Sequence, residues 1–314
     1  MDHATKTSHF SRKQPGGMFA IEDQGTSTGD RFFVGSTVTA AADSVGAGRN
    51  PELPFATLEY AIGQTTADQG DIIYVMPAHV EDVATAGGLD IDKAGISIIG
   101  LGWGDIRPKI QISATDATVS VDADDLWIEN LIFEGTIDTG VVIGVDVKTG
   151  CDDLTFKSCV FRGTTTAMEL LIAVNIAATN DRITFDGCEF IEHVGTASAA
   201  IVTEGAFTNM VVKNCYFNGT WSAATLDLDA AAVTTQALYV ADCSMTSHGA
   251  ADGIVFTLHD TTVAQFMRVN TFCVEDDQLP LATADSGASL GVECYGTDAY
   301  GTHGILWPTV AAAW

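Results

Sequence analysis

A twelve-residue phrase recurs six times between residues 124 and 275, and its period constrains the fold more than any other feature of the chain. The copies read DDLWIENLIFEG, DDLTFKSCVFRG, DRITFDGCEFIE, TNMVVKNCYFNG, QALYVADCSMTS and AQFMRVNTFCVE. They begin at Asp124, Asp152, Asp181, Thr208, Gln236 and Ala264, in steps of 28, 29, 27, 28 and 28 residues. The third, fifth, eighth and tenth positions are mostly apolar. The eighth column runs Leu131, Cys159, Cys188, Cys215, Cys243 and Thr271, and the tenth Phe133, Phe161, Phe190, Phe217, Met245 and Cys273. Self-similarity at such a period marks a chain of stacked supersecondary units, each burying its apolar face against its neighbours.

The units are strands. Val, Ile and Thr are plentiful, Gly is frequent at 31 and Pro scarce at 7, a mix that favours strands joined by tight turns. Between phrases lie further strand candidates: VVIGVDV (141–147), ELLIAVNI (169–176), AAIVTE (199–204), ATLDLDA (224–230), GIVFTLH (253–259) and, after the sixth phrase, ASLGVEC (288–294). Two or three short strands per rung, in register, predict a coil whose rungs pair as parallel sheets with like residues stacked on like. The column Asn130, Ser158, Gly187, Asn214, Asp242 and Asn270 holds residues that tolerate left-handed or bulged backbone and hydrogen-bond along a ladder.

Upstream, Ile96, Ile98 and Leu101 match the third, fifth and eighth positions and predict an earlier, atypical rung. GDIIYVMPAHVEDV (70–83) reads as a buried strand turning at Pro77, and DRFFVGSTVTA (30–40) as a strand followed by a loop over 42–54. In FATLEYAIGQ (55–64), Phe55, Leu58, Ala61 and Ile62 recur at helical spacing. They predict a short helix covering the first rung, where an open coil exposes unpaired strand edges. The apolar tail around Trp307 and Trp314 is expected to cap the last rung or to pack on another subunit. This gives an arm over 1–30, a strand, loop and capping helix over 31–69, a coil over 70–295 and a tail over 296–314.

Forty-one acidic against 14 basic residues give a formal charge of −27. Such a surface repels phosphate backbones and anionic lipid, which argues against nucleic-acid and membrane partners. Residues 1–31 carry Lys6, Arg12, Lys13 and Arg31 against Asp2, Glu22, Asp23 and Asp30, a net of zero, so the remaining residues hold the whole −27. The polar arm has isolated apolar anchors, among them Phe10 and Phe19, and reads as an extended segment that orders on a partner. No apolar h-region precedes it, so no secretory signal is expected. The stacked cysteines Cys159, Cys188, Cys215 and Cys243 read as free thiols acting as small buried hydrophobes. In-register parallel strands aim neighbouring Cβ atoms badly for a disulfide.

PFATLEYAI followed by GDIIYVMPAHVEDV resembles the first segment of right-handed parallel β-helix proteins of the pectin-lyase-like superfamily. The stretch PAHVEDVATAGGLDIDKAGISIIGLGWGDIRPKI is similar to a group of tailed-bacteriophage virion proteins. The resemblance covers roughly residues 50–135, and the coil pattern continues beyond. It implies an all-β, right-handed parallel β-helix of ~28-residue rungs with a short capping helix and an extended N-terminal arm. It further implies a non-enzymatic virion component assembled in the host cytoplasm. The expected form is a homotrimeric decoration (cement) protein on the capsid surface, held to the major capsid protein through Phe10, Arg12, Lys13 and Phe19. A tailspike that binds or cleaves host-surface polysaccharide is the alternative, with Trp221 and Tyr239 either contributing to its groove or serving as lone packing residues.

Enzymes of this superfamily carry acid clusters or Asn-x-Asp, Asp-Asp, Gly-His-Gly and Arg-x-Lys motifs on successive coils. Here Asp-Asp recurs at Asp124-Asp125 and Asp152-Asp153, at the same phrase position and at the start of a strand, where acids serve local hydrogen bonding. The other hydrolase motifs are missing from the sequence, and the seven histidines share no metal or triad spacing; His79 reads as a turn residue. No catalytic residue and no cofactor is expected. Bound calcium stays open, because hard cations take oxygen clusters without strict spacing.

Overall fold

The computed structural model describes residues 29–165, 169–177, 179–192, 197–228 and 236–247. It also describes the segments 254–258, 262–273, 281–283, 289–292, 295–297 and 303–305, and the backbone of 10–14 and 17–21. Among these residues three sheets of ten, ten and eight strands run along the coil, parallel throughout except for the last strand of the second. Each phrase supplies one strand to the first sheet and one to the second, as in Trp127–Glu129 and Ile132–Gly135. The stretch between phrases supplies the third sheet, as in Val141–Val147. The chain is an all-β parallel β-helix.

The corners follow from the sequence. The seventh phrase position has a left-handed backbone at Asn130 (φ 61°), Ser158 (φ 51°), Gly187 (φ 67°), Asn214 (φ 55°) and Asp242 (φ 53°). There the chain leaves the first sheet for the second, and small or Asx-type residues adopt that conformation at low cost. The second position is left-handed too, at Asp125, Asp153, Arg182 and Asn209. The seventh-position amides and those of Asp125, Asp153 and Arg182 donate to the next rung, as Asn130 N–H does to the Lys157 carbonyl (2.9 Å) and Ser158 N–H to that of Asp186 (2.8 Å). These bends therefore bury paired backbone donors.

Inside, the tenth-column rings lie face to face: Phe133 on Phe161 (5.0 Å), Phe161 on Phe190 (4.7 Å) and Phe190 on Phe217 (4.6 Å), with interplanar angles below 10°. A second stack, Phe156 on Phe185 (5.4 Å), meets the first edge-on. Each such pair adds about 0.5–1.5 kcal/mol beyond its burial.

The coil starts earlier than the apolar pattern predicts. Arg31–Val34 pairs in parallel with Ile72–Val75, which pairs with Ser97–Gly100. The first sheet thus begins at residue 31 rather than 70. Helix α1, Leu58–Gln64, buries Leu58, Ala61 and Ile62, and the Thr57 hydroxyl caps it by accepting from Tyr60 N–H. At the other end, Gln236 pairs with Thr262 and Leu238 with Ala264. The sixth phrase is therefore set two residues earlier than the pattern suggests, which puts Val269, fully buried, in the cysteine column. A slip of two keeps every side chain on its own face, so hydrophobicity alone does not detect it. Ser289–Val292, expected between phrases, lies in the first sheet instead, and Leu281–Thr283 is the third-sheet strand. His303–Ile305 closes the second sheet antiparallel to Tyr295–Thr297.

Candidate functional site

The repeated acids are engaged by the backbone. Asp124 Oδ1 accepts from Asp152 N–H (3.0 Å), and Asp152 Oδ1 accepts from Asp181 N–H (2.8 Å). Asp181 accepts from the Thr208 hydroxyl and from Asn209 Nδ2. The Thr208 bond, with help from Asn209 and the Arg182 guanidinium, holds the Asp181 carboxyl below the usual carboxylate range despite some burial. Arg182 forks onto Asp153 and depresses its pKa likewise, and Arg268 does the same to Asp242. An acid column of this kind ties rung to rung. Among the described residues no group of three or more His, Cys, Asp or Glu side chains is arranged to hold a metal ion.

Two further acids lie on the outer face of the second sheet or at its margin. Glu134 is 2% exposed and receives Gln111 Nε2 (2.8 Å) and Arg162 Nη2 (2.8 Å). Burial opposes its charge, but these hydrogen bonds and the nearby Lys109 ammonium prevail, so its pKa falls below the ordinary value. Glu192 goes the other way. It fills the twelfth phrase position, which is glycine at Gly135, Gly163 and Gly219. Burial pushes its pKa up to about 9; the Leu170 amide bond opposes the rise and the Glu169 charge adds to it. Its Oε2 has no hydrogen-bond partner among the described residues. A Cβ at Gly219 would meet Glu192 Cβ and Trp221 Cζ2, both at 2.9 Å, so glycine there makes room for the acid. Glu169 and Glu192 are 3% and 6% exposed, which keeps both carboxyls away from any solvent-borne chain.

His79 is fully buried and tied on both ring nitrogens. Nδ1 accepts from Ser36 N–H (3.0 Å), which places the proton of the neutral ring on Nε2, facing Glu81 Oε2 (3.0 Å). The same Glu81 oxygen accepts from Leu58 N–H (2.9 Å) at the start of α1. Ser36 Oγ accepts from Val80 N–H rather than facing the ring. The arrangement has the residue types of a Ser-His-Glu triad but not its geometry, since no hydroxyl points at a ring nitrogen. It fastens the capping segment to the first rungs.

Cys159, Cys188, Cys215 and Cys243 are buried and free. Each thiol faces a carbonyl of the preceding rung, such as Cys188 Sγ on the Phe156 oxygen (3.3 Å). Burial pushes the Cys159 thiol up to about 12, which disfavours the thiolate and suits a small apolar filler. Of the two readings open for Trp221, groove lining and packing, the structure shows packing: it is 1% exposed and lies inside the coil. The interior accepts it because Gly219 clears space beside the ring. Tyr239 is half-buried, its hydroxyl against Met267 Sδ (3.7 Å).

Phe10, Arg12, Lys13 and Phe19 lie in a backbone hairpin that the sequence reading takes as extended. Phe10–Gln14 pairs antiparallel with Gly17–Ile21, setting Arg12 opposite Phe19. Pro15-Gly16 between the two strands is the overlooked turn signal. The acid in the glycine column at 192 is another signal visible on alignment of the phrases.

No protein-family model matches the chain, and no curated protein matches it. Solved structures similar to it include a rhamnogalacturonan lyase (12% identity, 85% of this chain and 87% of that one, TM-score 0.48). Others are ORF18 of Geobacillus virus E2 (13% identity, 94% and 68%, TM-score 0.45) and a pectin methylesterase from Aspergillus niger (14% identity, 91% and 92%, TM-score 0.44). At these values the strand pairing itself remains the basis for the fold. Among the described residues no helix is long and apolar enough to cross a membrane.

Proposed function

We propose that the chain is a virion structural protein of a tailed bacteriophage, a rigid rod attached to the capsid surface through its N-terminal arm as a homotrimeric decoration protein. The observation that carries this reading is the use of the recurrent polar columns. Asp124, Asp152 and Asp181 hold successive rungs together through their own oxygens, so the repeat does the work of a scaffold. The resemblance of residues 50–135 to phage virion proteins points the same way. So does the contrast between residues 1–31, with no net charge, and the remaining residues at −27. The test is to remove residues 1–30 and measure copies of the protein per purified virion. Loss from particles, with hundreds of copies when the arm is present, supports decoration; unchanged incorporation refutes attachment through the arm.

A further inference from the structure

The first sheet has an apolar patch on its outer face at its N-terminal end. Phe32, Val34, Ile73, Val75 and Ile98 point into the main core, so the alternating Phe33, Tyr74 and Ile99 stand on the outside. Phe33 and Tyr74 stack at 5.7 Å, and with Met76 they form a separate cluster flanked by Ile72, Ile99 and Leu101. Phe33 and Tyr74 are only 1% and 8% exposed despite facing outward. Trp127 continues the face at 38% exposure. In the next rungs the outward positions turn polar, with Thr155, Lys157, Thr184 and Asp186, before Val211 and Tyr239 follow in the same column.

We infer that this face is the seat of the chain's own N-terminal hairpin, Phe10–Gln14 with Gly17–Ile21. Three features select that occupant. The hairpin register places Phe10, Phe19 and Ile21 in one alternating set, together with Arg12, Gln14 and Gly17, since opposite and alternate positions in an antiparallel pair share a side. The patch surrounds Arg31–Val34, the strand into which the arm leads. Residues 22–30 between them, nine in number, reach at most about 30 Å, enough to fold back over the sheet but not to reach its far end. The hairpin segment also carries Arg12 and Lys13 and no acid, against a body of −27. Docking buries the apolar anchors of the arm in the free protein and leaves them to be released onto another surface. It concerns the unassembled protein and does not depend on the capsid reading.

The experiment uses the full chain, with benzoylphenylalanine in place of Phe19 and a mixture of isotopically light and heavy protein. Irradiation is expected to join position 19 to residues 72–76 or 97–101 of the same molecule. Products confined to other surfaces, or joining light chains to heavy ones only, overturn the inference. A second arm substitutes Ile99→Asp, a partly exposed outward position whose change leaves the main core intact. Tryptic cleavage after Arg12 and Lys13 should then accelerate about tenfold, with Tm unchanged. An unchanged cleavage rate overturns the inference as well.

Discussion

The phrases from Asp124 to Ser247 and the segment from Arg31 to Ile112 build the same sheets but secure them differently. In the phrases, a side chain meets its own kind one rung away: phenylalanine on phenylalanine, acid on the amide of the next acid. In the N-terminal segment, the fastenings are single and long-range. Asp71, 2% exposed, accepts from Asp30 N–H (2.6 Å) and Thr66 N–H (2.8 Å), and His79 joins Ser36 to Glu81. Repetition spreads stability over many equivalent contacts, whereas the end of the coil, lacking a neighbour on one side, relies on particular ones.

Substitution within the stack separates these two regimes most strongly. Phe190→Ala removes a ring held between Phe161 and Phe217 and should cost about 3–5 kcal/mol in denaturant unfolding. Phe133→Ala, at the end of the stack, should cost less. Equal losses would mean that stacking adds nothing to burial.

Glu192→Gln should raise stability at pH 8 by a few kcal/mol, on the order of the pKa displacement it removes. The folded carboxyl titrates at about 9 against an ordinary 4.5, so the folded state holds the proton more tightly. Its contribution is complete below pH 4.5 and is lost as pH rises toward 9. Chemical denaturation across that window should show a falling stability in the native protein and a flatter one in the variant.

His79→Ala leaves Ser36 N–H and Glu81 without their partner and should cost about 1–3 kcal/mol. Hydrogen exchange should locate the loosening at α1 and the first rungs, with Thr184–Asp186 unaffected; uniform loosening would deny that the N-terminal end is fastened separately. The smallest effect belongs to Asp152→Ala, about 1 kcal/mol from one capping bond to Asp181 N–H. Asp152→Asn should recover most of it, because the amide oxygen still accepts.

Much of this architecture is readable from periodicity. Val141–Val147 falls where alternation places it, α1 falls inside 55–64, and the Asn130 column marks the corners, because each depends on local pattern or backbone tolerance. The two-residue shift at Thr262 escapes because a period of two repeats under that slip. The partners of His79 escape because Ser36 lies 43 positions away and no spacing rule reaches it. Glu192 reads as one acid among many until the glycine column around it is assembled. Of the arm, the sequence shows the apolar anchors and their charge but not the pairing of Arg12 with Phe19.

The left-handed corners have a consequence for size. Because Asn130, Ser158 and their counterparts turn the chain by local backbone preference, a rung can be added or deleted as a unit without altering the geometry of those on either side. The ten strands of the first sheet, about 4.8 Å apart, make a coil of about 43 Å, and its length changes only in whole strand spacings. The molecule is in effect a ruler graduated in peptide ladders, its reach set by how many phrases are written between its two ends.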